Sequence, residues 1–119
     1  MSWKDIIKAP INRDEARKIH RDRIKRIIDE VDKEIRQFLK SDSFSSETTA
    51  YIEKRDNFGR DELWVTSDGG MVDISVKGED IDLVMKTLYR VWKDESDADV
   101  IYNGKYITIK FEEDIEYKD

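Results

Sequence analysis

Chemistry in this chain would have to start from a single histidine, from 28 carboxylates and from no cysteine at all. His20 is the only side chain suited to proton transfer near neutral pH, so any Ser-His-Asp arrangement would need it. A general base needs a carboxylate to orient it. In the sequence His20 stands among cations, with only Asp22 close by, and it reads as a packing or helix-surface residue. The lack of cysteine rules out thiolate catalysis, disulfides and cysteine-ligated zinc or iron–sulfur sites. Asp94, Glu95, Asp97 and Asp99 form an acidic run. A calcium loop counted from Asp97 puts Ile101 at the third ligand position and Tyr102 where glycine is required, so the run reads as a solvated loop. Asp68-Gly69-Gly70 belongs to neither a GxxxxGK[ST] nor a GxGxxG pattern and does not read as a phosphate cradle. No carboxylate pair stands out for glycosidase-like work. No catalytic residue, metal or cofactor is therefore expected, and the chain reads as a non-enzyme.

The one ordered array of charge is cationic. Arg13, Arg17, Arg21 and Lys25 recur every four residues, with Lys18, Arg23 and Arg26 around them. Residues 13–26 hold seven Lys/Arg against three Asp/Glu, a net of +4. On a helix this spacing stacks like charges one turn apart, at a cost of a few tenths of a kcal/mol per pair. Such a segment protrudes, frays or meets an anion.

The elements that must carry this array follow from periodicity. Asn12 is placed to cap a helix over 13–40, with Asp14 and Glu15 in the first turn, where carboxylates suit the helix dipole. From Ile24 onward the apolar residues Ile27, Ile28, Val31, Ile35, Phe38 and Leu39 form a stripe. At 1.5 Å per residue the helix is about 40 Å long, against a body about 26 Å across by size scaling. Strands are expected at 47–54, 62–67 and 71–77, with a loop over 55–61 and a tight turn at Asp68-Gly69-Gly70. A second helix over 80–93 presents Ile81, Val84, Met85, Leu88 and Trp92 on one face. Asn103-Gly104 between hydrophobic runs marks a final hairpin. The order α-β-β-β-α-β-β predicts an α+β domain over 13–111, an antiparallel sheet of about five strands with both helices on one face. Residues 1–12 form an N-terminal arm and 112–119 an acidic tail.

Type III secretion chaperones are similar in element order, size and acidity, a likeness of architecture without matching motif residues. The first five elements also resemble those of double-stranded RNA-binding domains. Glu79, Asp80 and Asp82 stand where that family carries its phosphate-gripping cluster, which opposes an RNA-binding role. The opening Met1–Lys8, MSWKDIIK, resembles the starts of small proteins from marine phages and marine archaea, which implies an origin and no chemistry.

Leu, Ile, Val and Phe make up 30 of 119 residues, enough for a folded core although 42% of the chain is charged. No apolar run reaches the roughly 18 residues of a membrane span, and a cytoplasmic protein with no membrane role is expected. Residues 1–40 carry 12 basic and 8 acidic groups, a net of +4. The remainder carries 10 and 20, a net of −10. The leading expectation is a small acidic protein-binding or adaptor module that engages a protein partner or a second copy of itself. The residues expected to do so are Trp3, Ile6 and Ile7 of the arm, the ladder Arg13, Arg17, Arg21 and Lys25, and Trp64, which falls out of phase with Leu63 and Val65. A homodimer would pair Ile24, Val31 and Phe38 at heptad spacing. Two alternatives stand beside it: nucleic-acid association through residues 13–26, and inhibition of a nucleic-acid-binding enzyme by the acidic surface.

Overall fold

The computed structural model describes residues 10–45 and 48–111. The arm residues Trp3, Ile6 and Ile7, the acidic tail 112–119 and the expected start of the first strand at Glu47 lie outside the described residues. Two helices pack on one face of a five-stranded antiparallel sheet, in the order α1 (Arg13–Leu39), β1 (Ala50–Asn57), β2 (Arg60–Ser67), β3 (Gly70–Ser75), α2 (Gly78–Glu95), β4 (Asp99–Tyr102) and β5 (Tyr106–Lys110). This is the α+β architecture predicted above.

The Asn12 side chain accepts a hydrogen bond from the Glu15 amide at 2.9 Å, closing the α1 N-terminus as its sequence requires. The apolar stripe then drives α1 onto the sheet: Ile24, Val31, Ile35 and Phe38 are buried. That placement removes the expected homodimer seam. Ile24, Val31 and Phe38 are committed to the protein's own core and cannot also face a second copy.

The sheet order is β3-β2-β1-β5-β4. Register fixes which side of each strand is apolar. Ile52 stands opposite Val65 and Ile107, Ala50 and Val100 flank Ile109, and Leu63 faces Ile74. All of these point toward the helices, because strand side chains alternate. α1 crosses β2 and β1, while α2 lies over β4 and β5. Burying a face this wide draws on both helices, which is why α2 contributes Ile81, Val84, Met85, Leu88 and Trp92.

One expected loop is absent. Residues 55–57 and 60–61 continue β1 and β2 as paired strands, leaving Phe58 and Gly59 as a two-residue turn. Phe58 has φ 54° and Gly59 φ 80°, the left-handed pair that a tight hairpin of this twist demands. Phenylalanine is an unusual residue for that conformation, and the charged residues around it read as loop. α2 also starts earlier than expected, at Gly78, where a Cβ would collide with the Asp61 carboxylate. Asn103-Gly104 behaves as its sequence indicates. The Asn103 Oδ1 accepts from the amides of Lys105 and Tyr106, both at 2.9 Å.

Candidate functional site

The basic half of α1 meets the body at one carboxylate. Asp80 lies in the first turn of α2 and its side chain is fully buried. Arg23 donates to it twice, Nε to Oδ2 at 2.8 Å and Nη2 to Oδ1 at 3.1 Å, and reaches Glu79 at 3.2 Å. His20 Nε2 lies 2.9 Å from Asp80 Oδ1. Burial pushes the Asp80 carboxyl up, but the hydrogen bonds from Arg23 and His20 outweigh it and hold the group below the usual carboxylate range. The same pairing holds the Arg23 guanidinium above its ordinary value.

His20 thus has the oriented carboxylate that its sequence neighbourhood lacks. Asp22 is not that partner. The partner comes from 60 residues downstream. The sequence places Asp80 at the start of the second helix but does not show its role as a buried anchor. The acidic helix start 60 residues from an isolated histidine was the only available signal.

The anchoring neutralises a small part of the basic segment. Every residue from Ile11 to Asp22 is exposed. Among the described residues no carboxylate lies within salt-bridge distance of Arg13, Arg17, Arg21 or Lys25. Three of these four cations share one feature of the surface. Arg17, Arg21 and Lys25, with His20, rim an open groove of about 480 Å³ between α1 and α2. Its floor is Ile24 and Ile28 from α1 and Leu83 and Thr87 from α2. Leu83 is 47% exposed, which is high for a leucine beside a core. The Thr87 hydroxyl donates to the Leu83 carbonyl at 2.7 Å, so its donor is met within α2. Arg13 lies one turn beyond the groove and does not line it.

The two helices run in the same direction. His20 and Arg23 of α1 meet Asp80 near the start of α2, and the Arg36 guanidinium lies 5.8 Å from the Trp92 ring near its end. Farther along the same helix pair a separate, smaller pocket is lined by Arg36, Val91, Trp92, Glu95 and Ser96.

Trp64 stands elsewhere. It is on the helix-free face of the sheet, as its phase predicts, half-buried under the Arg55 guanidinium, which lies 3.4 Å from the ring centroid. Arg55 Nε also donates to Glu53 Oε2 at 3.1 Å. This face shares no residue with the groove, so Trp64 and the cationic ladder are not brought together.

Among the described residues no helix is long and apolar enough to cross a membrane, and no group of three or more His, Cys, Asp or Glu side chains could hold a metal ion. Compared with known proteins, the chain matches no family model, no curated protein and no solved structure.

Proposed function

We propose that this protein is a non-enzymatic protein-binding module, and that its partner surface is the cation-rimmed groove between α1 and α2. One observation carries the reading: three ladder cations without a carboxylate partner among the described residues flank an apolar floor. An apolar floor with a charged rim is how protein interfaces are built, with burial supplying affinity and charge supplying register and steering. The partner surface is then acidic with apolar anchors. His20 belongs to the groove's frame: its bond to Asp80 fixes the rim.

The exposed cations also suit phosphate. The groove's lining holds no Phe, Tyr or Trp on which bases could stack, and its one ring, His20, is tied to Asp80; the −10 balance of residues 41–119 opposes a polyanion. Nucleic-acid association is the weaker reading.

The test is selection of a random peptide library on the full chain, with Arg17→Glu/Arg21→Glu as the counter-screen. The expected winners combine Asp or Glu with apolar residues and lose binding to the variant. Winners indifferent to the variant contradict the reading. So does tight, salt-sensitive binding of a labelled DNA or RNA oligonucleotide to the parent chain.

A further inference from the structure

Resting on that reading, we infer that the groove receives a single acidic amphipathic α-helix from a partner protein, lying along the α1–α2 seam as a third helix.

The secondary structure of the occupant follows from hydrogen-bond accounting. Both walls are helices whose backbone groups are satisfied internally, so the groove offers no free backbone donors or acceptors. An extended peptide seated there would leave its inward amides and carbonyls against Ile24, Ile28 and Leu83. Each unmet group costs on the order of 1–3 kcal/mol. A helix brings its own bonds and buries only side chains. The walls also carry the spacing that a helix reads. Ile24 and Ile28 are four apart, as are Leu83 and Thr87. Ridges at that spacing leave a channel for the ridge of another helix.

Charge fixes the occupant's polarity. Arg17, Arg21 and Lys25 recur every four residues along one wall, a rise of about 6 Å per step. Carboxylates at i, i+4 and i+8 on a partner helix have the same rise and meet the three cations together. From Arg17 to Ile28 the wall is about 16 Å long, three helical turns. The matching ligand is therefore a short helix with apolar residues at three- and four-residue spacing and a flanking row of Asp or Glu. The chain's own first nine residues have apolar Trp3, Ile6 and Ile7, but Lys4 and Lys8 against Asp5 alone. Their charge is of the wrong sign for this rim.

Three synthetic peptides of about 16 residues, long enough to sample helix in water, decide the matter when titrated into the isotope-labelled full chain. The first is built from Leu, Ala and Glu in the pattern above. The second is the first with two internal alanines replaced by proline. The third carries Lys in place of every Glu. The expected result is binding of the first, with backbone shift changes centred on Ile28, Leu83 and Thr87. The proline peptide should bind at least about tenfold more weakly, since each internal proline opposes helix by about 3 kcal/mol. The Lys peptide should not bind. Leu83→Ala, an exposed position that the fold does not need, should weaken the first peptide with the parent's spectrum otherwise retained. Equal binding of the proline peptide overturns the helix inference and leaves the acidic-partner reading standing. Dissociation constants above about 1 mM for both acidic peptides retire both. Self-association of the chain that is lost in Arg17→Glu/Arg21→Glu would assign the groove to a second copy and overturn the partner assignment.

Discussion

From Ile24 onward α1 buries or half-buries an apolar residue on every turn, whereas the three turns before it bury none. The two halves share one unbroken backbone ladder and one N-cap, so the difference lies wholly in side chains. The second half is held by burial, at roughly 25 cal/mol per Å² of apolar surface removed from water. The first half has no such return and carries like charges one turn apart. What tethers it is the contact of His20 and Arg23 with buried Asp80, at the boundary between the halves. Beyond that contact the helix continues because helix propagation is cheap once a stable half exists. A segment that the core does not require, yet which carries an ordered charge array, is free to serve a partner.

The largest expected effect falls in the second half. Ile35 is fully buried, and Ile35→Ala should cost about 3 kcal/mol in urea unfolding, transfer and cavity terms together. The boundary comes next. Asp80→Asn keeps the shape but gives up charge-assisted bonds to Arg23 and His20, for a loss of about 2 kcal/mol. It should also change the acid response. The folded-state pKa of Asp80 is depressed, so its contribution is present above about pH 4, the ordinary carboxylate value, and is lost as pH falls through the folded value. Asp82, held low by the Lys54 ammonium, acts in the same window and with the same sign. The parent should therefore lose stability steeply below about pH 4, and Asp80→Asn less steeply, when urea midpoints are followed from neutral to acid pH. The smallest effect belongs to the first half. Arg17→Glu/Arg21→Glu should leave stability within about 0.5 kcal/mol of the parent. A large loss there would mean that the ladder is structural and would erase the contrast between the halves.

Much of this fold was legible because its periodicities are clean. The stripe from Ile24 to Leu39, the apolar face of α2 and the Asn103-Gly104 turn each carry their structure locally. The β1–β2 hairpin did not, because its turn places Phe58 at positive φ and its strand ends are charged, with nothing apolar to mark them. The site was half-legible. The ladder Arg17, Arg21 and Lys25 is visible as spacing, but the groove that it rims needs Leu83 and Thr87 from a helix some sixty residues away. Helical spacing leaves Leu83 off the apolar face of α2, but nothing local shows that it stands beside α1. Asp80 was hidden for the same reason: its burial follows from the packing of α1 against α2 and not from its neighbours. Trp64 shows the converse, since alternation placed it on the right face while its cover, Arg55, came from the adjoining strand.

Native-state amide hydrogen exchange along α1 tests the division of this helix most directly. Two levels of protection are expected. Amides beyond Ile24, through Ile35, should exchange only by global unfolding. Amides of residues 16–20 should exchange by a local opening of much lower free energy, with the step between them at His20 to Arg23. Uniform protection from residue 16 to residue 35, or a step placed within the Ile24–Ile35 stripe, would contradict it.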